Sequence, residues 1–113
     1  MAIAGIDHTA IAVRNMDEAL RRYNELLGLK ATARAKVPDQ NVEIAFLFSE
    51  GTKLELICPT SEESGVARFL EKHGEALHHI GVLVEDIRVE LGRLEAQGVE
   101  LHSDVLDKDA DVV

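Results

Sequence analysis

The sequence predicts an α+β domain in which a strand–helix–strands unit is written twice and the second copy stops short. Three observations carry this expectation. Apolar segments alternate between short strand-like runs and stretches with helical spacing. Shifting the 113-residue chain by 71 places lays 77–84 on 6–13 and pairs His79 with His8, Val84 with Val13, Leu91 with Leu20 and Arg93 with Arg22. The hairpin of the first copy, 42–58, would map onto 113–129, which begins only at the last residue, Val113.

Each element has its own local reason. Residues 6–13 are mostly apolar between Gly5 and Asn15, as in a buried strand. Asn15 with Glu18 three places on forms a capping-box pattern; Met16, Ala19, Leu20, Tyr23, Leu26 and Leu27 then recur at helical spacing up to Gly28, where a helix should stop. A second strand is expected over 29–35, followed by a turn around Pro38–Asn41. The runs 42–48 and 53–58 flank a Ser-Glu-Gly-Thr loop and read as a hairpin that Pro59 ends. Ser64 caps a short helix with Val66, Phe69 and Leu70 on one side and Gly74 at its close. The second copy opens with an apolar strand at 77–84. Asp86 then caps a helix over 87–97, with Ile87, Leu91 and Leu94 inward and Gly98 at its end, and a last strand follows at 99–101. Gly92 inside that helix costs about 1 kcal/mol relative to alanine, so packing must hold the helix. The boundaries are 1–59 for the first module, 60–75 for a connecting helix and 76–113 for the second.

Composition narrows the functions. Lys and Arg number 12 against 21 Asp and Glu, a formal charge of −9, which repels a phosphate polyanion and argues against nucleic-acid binding. No apolar run reaches membrane-spanning length, and the first residues lack the basic flank and apolar stretch of a signal peptide. The one cysteine, Cys58, forms no internal disulfide and reads as a small buried hydrophobe, so a reducing cytoplasm is expected.

His8 and His79 hold matching places in two quasi-equivalent strands, so a pseudo-twofold relation would bring them together. Glu55, in the run Lys53-Leu54-Glu55-Leu56-Ile57, needs a cation, a metal or exposure. Two imidazoles and a carboxylate make a divalent-metal site with open positions, or else two hydrogen-bonded core histidines beside an exposed acid.

These stretches resemble the methylmalonyl-CoA epimerase family of the vicinal-oxygen-chelate superfamily, which includes glyoxalase I and extradiol dioxygenases. The resemblance rests on 6–13, Leu26-Leu27-Gly28-Leu29, Val37-Pro38-Asp39-Gln40, 53–59 and, most narrowly, the run from Ser64 through Phe69-Leu70-Glu71-Lys72 to His78-His79-Ile80. It implies paired βαβββ modules of the glyoxalase/bleomycin-resistance type around a metal cleft, the second incomplete at its C-terminus. It implies His8, Glu55 and His79 as metal ligands, with His78 turned to the opposite face in a structural or supporting role. The family's fourth ligand, a glutamate that is also an acid/base group, lies beyond this chain's last strand. Glu43 is the candidate for the other acid/base group, provided its strand register turns it inward. The implied cofactor is a divalent ion, cobalt first, with manganese, nickel or zinc as alternatives. The implied reaction is epimerisation of methylmalonyl-CoA by proton removal and return beside the thioester. The alternatives are a glyoxalase-like metal-dependent lyase and a non-catalytic binding module.

For the coenzyme A end, Lys30, Arg34 and Lys36 would share a strand face, although a solvated face is the plainer reading. His73 and His102 read as exposed, and Asp104, Asp107, Asp109 and Asp111 as a solvated end or a substitute ligand. The short second module leaves a sheet edge that calls for a homodimer or higher oligomer, or marks a piece of a longer protein.

Overall fold

The computed structural model describes residues 3–100. Its elements are β1 (Ile3–Ala12), α1 (Met16–Leu27), β2 (Ala31–Val37), a 3₁₀ turn (Pro38–Gln40), β3 (Val42–Ser49), β4 (Thr52–Pro59), α2 (Gly65–His73), β5 (Ala76–Val84) and α3 (Ile87–Ala96). The strands form a five-stranded sheet in the order β2-β3-β4-β1-β5. This is the α+β class expected. The strand β3 runs antiparallel to β2 and to β4, whereas β1 lies parallel to β4.

The caps are those the sequence marks. The Asn15 side chain accepts from the Glu18 N–H at 2.9 Å, and Gly28 ends α1 at φ 70°, a left-handed conformation that costs a side chain but not glycine. Ser64 and Asp86 accept from the N–H groups of Val66 and Arg88.

Two compact units divide the described residues, 8–79 and 3–7 with 80–100. The strands β1 and β5 run through both. In the unit 8–79, register decides which side chains share a layer. The pairs Ala45↔Leu56 and Glu43↔Cys58 put odd positions of β3 with even positions of β4. That face, with Ala45, Leu47, Leu56 and Cys58, packs on Val13, Met16 and Ala19. The other face carries Ala12, Val42 and Ile57 against Val66 and Leu70 of α2. The sheet therefore has α1 on one side and α2 on the other.

In the second unit, Ile87 and Glu90 are the buried residues of α3, while Leu91 and Leu94 are only half-buried. The expected inward stripe is thus rotated, and Glu90 is tolerated because the Arg93 guanidinium lies 2.6 Å from its carboxylate. Of β5, Leu77, Ile80 and Leu83 are exposed. Val99 and Glu100 are not strand. The rest of the expected last strand, His102, the four acidic residues of the tail and Val112-Val113 lie outside the described residues.

Candidate metal centre

Three adjacent strands each contribute one side chain. Glu55 comes from β4, His8 from β1 and His79 from β5. Ala10 pairs with Glu55, and His8 is two residues before Ala10, so alternation turns both toward the α2 side of the sheet. The Nε2 atoms of His8 and His79 lie 3.2 Å apart, and Oε1 of Glu55 lies 3.6 Å from Nε2 of His79. One ligand atom from each of the three fits within 4.8 Å of the others.

The donor set fits a divalent ion on its own chemistry. Ligand atoms held about 2.1 Å from one ion sit about 3.0–3.4 Å apart, close to the two shorter spacings here. Glu55 is buried, at 8% exposure, with Oε1 beside Nε2 of His79, so a bound cation would be a partner for its carboxylate. Burial pushes His79 down to about 4, helped by repulsion from His78 and His8, so its ring is neutral near pH 7 and keeps a lone pair for a metal. Burial also lowers His78.

Aromatic side chains frame the cluster. The Phe46 ring meets His8 edge-on with centroids 6.5 Å apart. Lys53, on the Glu55 face of β4, places Nζ 4.9 Å from the Phe46 centroid. Phe69 of α2 stands 4.8 Å from His78. The contribution of Lys53 follows from alternation with Glu55 and was open to sequence reasoning. The Phe46–His8 approach was not, because it depends on how three strands align.

Glu43 is not brought to this cluster, where the acid/base expectation would place it. Phe46 pairs with Glu55 and Ile44 with Ile57, so Glu43 stands one residue out of register, on the α1 face. There Arg34 holds it, with Nε 2.6 Å from Oε2, while Nη1 of the same guanidinium reaches Asp17 at 2.7 Å. Both carboxylates raise the Arg34 pKa. Arg34 is thereby committed to Glu43 and Asp17, and only Lys30 and Lys36 of the expected basic face are left for solvent. His78 also departs from expectation. Its Nδ1 lies 2.7 Å from Nδ1 of His79, so the adjacent rings meet. His73 is exposed as expected, although its ring leans on Phe69 at 4.9 Å.

A pocket of about 400 Å³ lies on the α1 side, among Ile11, Val13, Tyr23, Leu26 and Leu27. It is on the sheet face opposite Glu55.

The sequence pattern of the glyoxalase/bleomycin resistance protein/dioxygenase superfamily matches residues 7–112. This chain belongs to that superfamily. An uncharacterised protein of Bacillus subtilis is 40% identical over 96 residues, covering 85% of this chain and 69% of its own. The ethylmalonyl-CoA/methylmalonyl-CoA epimerase of Cereibacter sphaeroides is 37% identical over 100 residues, covering 88% of this chain and 75% of its own. A variant of the Streptomyces coelicolor methylmalonyl-CoA epimerase, solved with 2-nitronate-propionyl-CoA, superposes with a TM-score of 0.83 at 29% identity, over 91% of this chain and 76% of that one. The epimerase resemblance read from the residues is thus matched by relatives that carry that name. Among the described residues no helix is long and apolar enough to cross a membrane.

Proposed function

We propose that this superfamily member is an isomerase that epimerises methylmalonyl-CoA with a divalent ion held by His8, Glu55 and His79. The observation that carries the reading is the convergence of these three donors on one face of three neighbouring strands. The epimerase relatives support the substrate class, and the epimerase solved with a coenzyme A ester supports an acyl-CoA ligand.

The carbon between a thioester and a carboxylate is acidic because both oxygens share the charge left when its proton departs. When bound, a divalent ion supplies Lewis-acid stabilisation of that charge. The chain's own residues prepare the place. His79 offers a neutral imidazole, and Glu55 adds a carboxylate donor. The phenylalanine ring stands edge-on to His8, and Lys53 brings positive charge for the substrate's carboxylate or phosphates to a protein of net charge −9. Glu43 has no part in the reaction, being bound to Arg34 on the far face. We take cobalt as the first metal to try, before manganese, nickel and zinc, a homodimer as the assembly and the cytoplasm as the location.

The experiment is deuterium exchange at the central carbon of methylmalonyl-CoA, with and without cobalt, against a control lacking protein. Cobalt-dependent exchange that Glu55→Ala abolishes is the expected result. Cobalt bound without exchange, but with conversion of a glutathione hemithioacetal, would replace the proposal with a lyase. Cobalt bound with neither activity would leave a binding module.

A further inference from the structure

We propose that His78 is a positioning residue for His79: it accepts the Nδ1 proton of its neighbour and so fixes the tautomer whose Nε2 faces Glu55 and His8 with a free lone pair. The inference rests on the metal centre proposed above and deepens it. Two ring nitrogens 2.7 Å apart have room for one proton between them, so one donates and the other accepts. The direction follows from the other end of the His79 ring. Its Nε2 lies 3.2 Å from Nε2 of His8 and 3.6 Å from Oε1 of Glu55, which makes it the ligating atom. A ligating Nε2 carries no proton, so the proton of neutral His79 is on Nδ1, and Nδ1 of His78 is the acceptor.

The fold holds His78 for this task. Adjacent strand residues normally face opposite sides of a sheet, and these two rings nevertheless stand 5.0 Å apart. Phe69 packs on the His78 ring at 4.8 Å and an interplanar angle of 77°, while His73, one helical turn on, rests against the same phenylalanine. Helix α2, capped at Ser64, thus sets the angle of the His78 ring and, through it, that of His79. Both imidazoles are half-buried, which limits competition from water for the shared proton.

The test compares the wild type with His78→Phe, which keeps a ring against Phe69 but has no acceptor, and His78→Asn, whose Oδ1 takes the place of Nδ1. Nitrogen-15 spectra of histidine-labelled, metal-free protein read the His79 tautomer, and cobalt titration followed by calorimetry and visible absorption reads the site. The expected result is an Nδ1–H tautomer of His79 in the wild type, a loss of about 10–100-fold in cobalt affinity in His78→Phe at an unchanged melting temperature, and recovery of most of that loss in His78→Asn. Wild-type affinity in His78→Phe, or a wild-type proton on Nε2 of His79, would overturn the proposal. The wild-type tautomer decides the hydrogen bond even where His78→Phe does not fold. A wild type that binds no cobalt sinks the metal centre instead, while the same spectra still judge the His78–His79 bond.

Discussion

At the scale of single residues, burial and partner decide what each group does. Glu55 places its carboxylate beside His79 in a mostly apolar strand, and a shortened side chain there takes away a ligand outright. Glu55→Ala should lower cobalt affinity beyond the roughly 10–100-fold that losing a supporting partner produces, read by calorimetry. Glu43 is the contrasting carboxylate. Its ion pair with Arg34 is partly exposed to solvent, so Glu43→Gln should cost no more than about 1 kcal/mol in thermal unfolding and leave cobalt binding unchanged. Cys58 is buried among Ala45, Leu47 and Leu56, and that burial raises its thiol above the ordinary 9.0. A folded-state pKa raised in this way contributes stability below the unfolded value, which is lost as pH rises through the folded value. Alkylation at pH 8 should therefore be much slower in the native protein than in urea, as mass spectrometry would show. Rapid native labelling would contradict the burial.

At the scale of elements, capping and packing share the work unequally. The helix α1 has a side-chain cap at Asn15, a left-handed glycine at its end and two fully buried contacts, Met16 and Ala19, against the sheet. The helix α3 is held by less. Its buried positions are one isoleucine and a glutamate, and Gly92 stands in its interior with open space where a Cβ would go. Gly92→Ala should therefore stabilise α3 by up to about 1 kcal/mol, seen as a melting-temperature rise of about 4–8 °C if unfolding is two-state. An unchanged or lowered value would mean that this helix does not unfold with the rest. The helix α2 matters for a different reason: it carries Phe69, and the angle of one helix thereby reaches two histidines.

For the whole molecule, the consequence concerns assembly. The order β2-β3-β4-β1-β5 leaves β5 at an end of the sheet among the described residues, and Leu77, Ile80 and Leu83 are exposed along it. Exposed apolar strand edges invite pairing, so the proposed homodimer should appear in sedimentation at micromolar concentration and weaken in Ile80→Lys. A monomer across that range would remove the assembly from the proposal without touching the metal centre.

The α+β class, the caps at Asn15, Ser64 and Asp86, the hairpin 42–58 and the equivalence of His8 with His79 were legible in the sequence. Each depends on spacing within a few residues or on a repeat that spacing reveals. The superfamily followed from the same residues. Pairing across strands had to be seen. A one-residue register between β3 and β4 sent Glu43 to Arg34 and left Ile44 on the face of Glu55, a choice no local pattern encodes because both registers alternate equally well. The meeting of His78 with His79 was hidden for the same kind of reason: chain order predicts opposite faces, whereas a phenylalanine from a separate helix sets where the first ring lies. Sequence determines what is close along the chain, and the tertiary structure decides which distant surfaces press on it.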